Sequence, residues 1–191
     1  GDVIHYTIVA TNTGNTTSEF SQAQEVGNVF TWDAGAGADT SWFTAANWSP
    51  DGVPGAGDVA ILDTNATINL PNITNATVAT FQQSAGTLTG AGTLAVVTDF
   101  TWSGGAQAGA GTTTLGNTGT LTLSGAAKTL SRGLINDGTA NWTGGAFAGV
   151  GTFINNGMFN ASVVAPFSPI FRNAPGATFS QLSGSSAFNA F

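Results

Sequence analysis

The chain has no cysteine, a single histidine and a single methionine. Without cysteine there is no disulfide, no thiolate nucleophile and no Cys-based metal site. With His5 as the one imidazole, Ser-His-Asp and Cys-His arrangements have almost no material to work with. Positive charge is equally scarce: three Lys and Arg stand against ten Asp and Glu, a net charge of −7. That balance argues against nucleic-acid binding and against a basic membrane-surface patch. No apolar run approaches the ~18 residues of a membrane-spanning helix.

What the chain does have is glycine and small polar residues. It carries 27 Gly in 191 residues, and only 7% of its residues are charged, against a usual ~25%. The 41% hydrophobic content is enough for a core, so the composition is not that of a disordered chain. The first residue is Gly1 and no leader is evident, which reads as a processed or excised segment. Low charge and many hydroxyls suit a secreted or surface-exposed protein.

Gly119, Gly138, Gly157 and Gly176 recur every 19 residues. Three of them close Asn-x-Gly turns that begin at Asn117, Asn136 and Asn155. A longer echo places Trp102 and Trp142 in matching Trp-x-Gly-Gly contexts. Glu, Lys and Arg are nearly absent beyond residue 80, and the segments between turns are short and rich in Thr, Leu, Ile and Phe. Residues 120–123 alternate polar and apolar, as a half-buried strand does. Asn and Gly tolerate positive φ at corners. A unit of about 19–20 residues with two or three short strands is one rung of a β-solenoid. The expected fold is therefore all-β, with Leu121, Leu123, Leu134, Ile135, Phe153, Ile154, Phe159, Phe171 and Phe179 as core columns.

The organisation expected is an extended strand arm over residues 1–17, a polar linker over 18–30 and the solenoid over 31–191. A terminal rung exposes core and ladder unless it is covered. The Trp- and Pro-rich stretch at about 31–60, with Trp32, Trp42 and Trp48, reads as the N-terminal cap. In the arm, Ile4, Tyr6, Ile8 and Ala10 alternate onto one face. A lone strand of this kind needs a partner sheet.

The opening segment from Gly1 to Thr16, with its Asn12-Thr-Gly-Asn15 turn, resembles the start of the NTGN repeat domain of prokaryotic surface proteins, a domain of unknown function. The stretch from Trp32 onward resembles β-helical segments of large bacterial extracellular, autotransporter-like and adhesin-like proteins. Asn47-Trp-Ser, residues 53–58 and the Trp-x-Gly-Gly elements carry that likeness. It implies a right-handed coil, an extracellular or cell-surface location and a scaffold role.

Candidate chemistry is thin. From residue 100 onward the charged residues are Lys128, Arg132, Asp137 and Arg172, and a lone carboxylate gives no acid–base pair. Lys128 and Arg132 read as solvated rung edges, and Trp102 and Trp142 as a stacked pair. Asp33, Asp39, Asp51, Asp58 and Asp63 cluster near the cap; they are read as turn-forming acids rather than calcium ligands. Trp32, Trp42 and Trp48 could stack sugars, and the reading favoured over that platform is a role in the cap core. Asn15, Asn47, Asn65, Asn72, Asn75, Asn141 and Asn160 head Asn-x-Ser/Thr sequons. No catalytic residue, cofactor or metal is assigned.

The expected function is structural: head-to-tail assembly into a surface filament, with copies of the chain itself as partners. The arm would add to a neighbour's sheet edge through Val3, Ile4, Tyr6, Ile8 and Ala10. The far end, with Phe188 and Phe191 in a segment free of charge and Pro, would stack on the next copy. A glycan-binding stalk or adhesin is the alternative, and a carbohydrate-active enzyme a second one.

Overall fold

The computed structural model describes residues 27–72, 74–182 and 188–190. These form a β-solenoid of about 6 turns. Three flat faces make each full rung. The first face holds residues 75–78 and 93–96, then Thr112–Leu115, Gly133–Asn136 and Thr152–Asn155. The second runs from Val29–Trp32 and Val59–Leu62 through residues 80–83 and 99–102. It continues with Thr120–Leu123, Thr139–Trp142, Met158–Ala161 and Thr178–Gln181. Thr67–Leu70, Thr87–Gly90, Gly105–Gln107, Lys128–Leu130 and Phe147–Ala148 form the third. Val29–Trp32 begins within the stretch read as linker.

Neighbouring rungs pair in parallel and in register. Thr120, Thr139 and Met158 stack at 19-residue intervals, as do Leu121, Ala140 and Phe159. Because side chains alternate across a strand, each face presents fixed inward columns. One is Ala60, Phe81, Phe100, Leu121, Ala140 and Phe159; its neighbour is Leu62, Gln83, Trp102, Leu123, Trp142 and Ala161. In the later rungs large faces small across the two columns, with Ala140 beside Trp142 and Phe159 beside Ala161, whereas Phe100 and Trp102 stack on each other at 5.9 Å. Both tryptophans are buried, but Leu123 stands between them in the column. The expected stacked pair is therefore corrected to two equivalent positions two rungs apart.

Strict alternation also corrects part of the expected core. Leu121, Leu123, Leu134, Phe153, Phe159 and Phe171 are buried. Ile135 and Ile154 sit between inward neighbours, so they point outward and are half-buried. Phe179 is 37% exposed and stacks on Phe159 at 5.8 Å.

The repeating Gly119, Gly138 and Gly157 answer to space rather than to backbone angle. A Cβ on Gly138 would lie 2.2 Å from the Gly119 carbonyl oxygen, and one on Gly157 would lie 2.1 Å from that of Gly138. Of the 19-residue series only Gly176 has positive φ, at 86°. Beside these corners runs an inward amide ladder. Asn136 Nδ2 donates to Asn155 Oδ1 at 2.7 Å, and Asn155 Nδ2 to Asn173 Oδ1 at 2.7 Å. Asn136 Oδ1 has no partner, because the preceding position in its column is Leu115.

The Trp-rich segment covers two faces at the N-terminal end. Trp48–Ser49 pairs antiparallel with Val29–Trp32. Around Asn69, Trp42 N donates to its carbonyl at 3.0 Å and Thr40 O accepts from its N–H at 2.7 Å. Trp32 and Trp48 meet edge to face at 5.1 Å, Trp42 and Trp48 at 4.8 Å. The Trp48 indole N–H donates to Trp42 O at 2.8 Å. Trp48→Ala removes a fully buried aromatic and is expected to cost ~3–5 kcal/mol, read by urea unfolding. A loss below about 1 kcal/mol would mean that the cap does not hold the end of the coil.

Candidate functional site

The three cap tryptophans are at most 1% exposed. Their faces are filled by one another and, for Trp42, by Phe81 at 6.1 Å. Among the described residues no ring face is left for a sugar, so the favoured cap-core role holds and the glycan contact at these tryptophans does not. Three of the nearby acids close turns: Asp33 accepts from Gly35 N, Asp39 from Ser41 N and Thr44 Oγ1, and Asp58 from Gly55 N, while Asp58 also accepts from Asn28 N across the end of the coil. The Thr44 and Ser41 hydrogen bonds hold the Asp39 carboxyl below the usual aspartate range. Among the described residues no three His, Cys, Asp or Glu side chains are grouped to hold a metal ion. Asp137 Oδ1 accepts from Asn156 Nδ2 at 2.7 Å.

The sequons divide. Asn65, Asn72 and Asn75 are exposed, and Asn141 and Asn160 are half-buried, joined by an Asn160 Nδ2 to Asn141 Oδ1 bond of 3.0 Å. Asn47 is buried. Its Nδ2 donates to Asp39 O and Ser41 O, and its Oδ1 accepts from Ala36 N. Its amide is thus committed to the cap, so Asn47 is corrected from acceptor site to structural residue. Asn15, Val3, Ile4, Tyr6, Ile8, Ala10 and Phe191 lie outside the described residues. The backbone of Phe188 lies in Phe188–Ala190, opposite Phe167.

Sequence reasoning missed the polar interior. Lys128 and Arg132 are 0% and 3% exposed, not solvated edges, because both fall on inward positions flanking Leu130. Lys128 Nζ donates to Ser124 O at 2.5 Å, Ala126 O at 2.9 Å and Gly144 O at 3.0 Å. All three ammonium protons thus end on corner carbonyls. Arg132 occupies a corner column where Gly111 and Gly151 stand in the flanking rungs. Its Nη2 reaches back over Gly111 to Gly92 O at 2.6 Å and Thr112 O at 3.0 Å. Among the described residues its Nε and Nη1 find no acceptor. Nearby, Thr113 Oγ1 donates to Gln107 Oε1 and Gln107 Nε2 to Gln83 Oε1. Burial lowers the Lys128 pKa to about 8 and the Arg132 pKa to about 10. Neither group reaches solvent, so neither meets a substrate; both fasten corners.

The main-chain edge at the N-terminal end is uneven. The cap pairs with the second and third faces, as described above. The first face begins at residues 75–78, whose parallel partner is 93–96. Thr93 N donates to Thr74 O at 3.0 Å, which turns Thr74, Ala76 and Val78 toward that partner and Asn75 and Thr77 away from it. Among the described residues no strand pairs with this outer edge. Comparison with models of known protein families, with curated proteins and with solved structures returned no match.

The Lys128 cage has a pH signature. Its folded pKa lies below the unfolded 10.5, so the folded state loses its proton first as pH rises. The burial penalty is complete below about pH 8 and is relieved between about pH 8 and 10.5. Stability against urea should therefore rise across that window relative to Lys128→Met. The variant itself should be destabilised by about 2–4 kcal/mol at pH 7, because it leaves three carbonyls unpaired. Parallel pH profiles for the two proteins would contradict the assignment.

Proposed function

We propose that this chain is an extracellular structural protein that joins copies of itself head to tail into a surface filament. The observation that carries the reading is the edge at residues 75–78, which no strand among the described residues pairs with, on an end whose other two faces are closed by the cap. A parallel strand laid there would accept from Asn75 and Thr77 N–H and donate to their carbonyls, continuing the first face by one rung. Residues 3–11 have the alternation for that role, and main-chain bonds would supply affinity while Ile4, Tyr6, Ile8 and Ala10 supply register. Donation between copies is heterologous, so repetition yields a fibre rather than a closed ring. A rung-by-rung column of buried side chains suits such a polymer, since each added strand meets a surface already shaped like its own next neighbour.

Thr77→Pro tests the reading at the acceptor. Its N–H faces the open edge, so proline removes the donor and blocks the approach while the strand itself tolerates it. Removal of residues 1–17 tests the donor. Both variants should keep the β-sheet signal in circular dichroism and lose the fibres seen for the parent by electron microscopy. Unchanged fibres in either variant, or a parent that forms none, would overturn the reading.

A further inference from the structure

One side of the coil carries an axial strip that none of the assignments above uses. On the second face, Gln82, Thr101 and Thr122 share an outward column. Two residues further along each rung stand Ser84, Ser103 and Ser124. Their backbone N–H groups donate to Leu62 O, Gln83 O and Trp102 O, so they too stack one above another. The same two columns continue through Asn141 with Thr143 and through Asn160 with Ser162. Five consecutive rungs thus present two neutral polar side chains each, with no charge and no large apolar group among them. The other outward column of this face is interrupted by Asp99 and Met158.

The six side chains of the first three rungs are half-buried or exposed, and their hydroxyl and amide groups make no hydrogen bond within the described protein. They are not needed to close the corner, which leaves their donors and acceptors for a ligand. At the N-terminal end the strip sinks into a depression of about 280 Å³, where Ile61, Asp63 and Gln83 join Gln82, Ser84, Thr101 and Ser103. Rungs rise about 4.8 Å and the paired residues stand ~6.7 Å apart across the strand. A sugar ring is about as long as one rung is high.

We infer that this strip is a binding groove for a neutral polysaccharide chain lying parallel to the solenoid axis. Each of the first three rungs would offer one sugar unit two hydroxyl or amide contacts, with Asp63 accepting from a ligand hydroxyl at the end; in the next two rungs Asn160 Nδ2 donates to Asn141 Oδ1, Thr143 Oγ1 to Leu123 O and Ser162 Oγ to Trp142 O. Single contacts of this kind are weak, and affinity would come from their repetition along one polymer. The net charge of −7 on the chain disfavours acidic polymers and leaves neutral ones unaffected. The inference does not depend on end-to-end joining.

The test is co-sedimentation of the full chain with insoluble cellulose, chitin, mannan and β-1,3-glucan, and with pectate and alginate gels, corrected for pelleting without polymer. At least one neutral polymer should retain the protein, and 1 M NaCl should not release it. Thr101→Lys, which places a long charged side chain in the groove, should cut retention at least tenfold. Thr129→Lys, exposed on the third face, should leave it unchanged. Retention by none of the four neutral polymers, retention only by the acidic gels, or equal loss in both variants would each overturn the inference.

Discussion

Parallel, in-register stacking of main-chain strands is the constraint from which the rest of the molecule follows. Once residue i sits above its counterpart in the next rung, every inward side chain belongs to a column, and its size is limited by its neighbours above, below and beside it. The pairing of Ala140 with Trp142 and of Phe159 with Ala161 is that limit at work, since interiors admit little void or overlap. Corners obey the same rule more severely. There the backbones come so close that Gly138 and Gly157 have no room for a methyl group.

Stacking also explains how a core with charged residues persists. Each corner brings carbonyl oxygens from adjacent rungs toward the axis. Lys128 gathers three of them and Arg132 two, so the cations tie rungs together without a carboxylate partner. Burying an ion is costly, and hydrogen bonds to carbonyls offset only part of that cost. Burial accordingly lowers the pKa of each group. The amide ladder from Asn136 to Asn173 does similar work on neutral terms, with one acceptor left over where the column changes from Leu115 to Asn136.

Much of the architecture was legible in the residues. The 19-residue glycine spacing and the Trp-x-Gly-Gly echo marked the rungs, and the Trp-rich stretch marked the cap. What pattern reading missed is which side of the backbone a residue takes at a corner. Lys128 and Arg132 look like surface cations by residue type, and only the alternation around Leu130 turns them inward. Ile135 and Ile154 look like core residues, yet Leu134, Asn136, Phe153 and Asn155 already fill the inward positions. That the cap tryptophans are core follows from their residue type, but their mutual packing, which removes them from any ligand, is a matter of three-dimensional contact. The uncharged strip was invisible for the opposite reason: its members are ordinary Ser, Thr, Asn and Gln, and only the register aligns them.

The functional reading turns on one short stretch of backbone. Ala76 and Val78 already bond to the next rung, whereas Asn75 and Thr77 face away from it. Residue-resolved hydrogen exchange on assembled and dispersed protein tests the account most directly. It predicts that the amides of Asn75 and Thr77 exchange freely in the dispersed chain and become protected in the fibre, with Ala76 and Val78 slow in both. Equal exchange of Asn75 and Thr77 in the two states would contradict it.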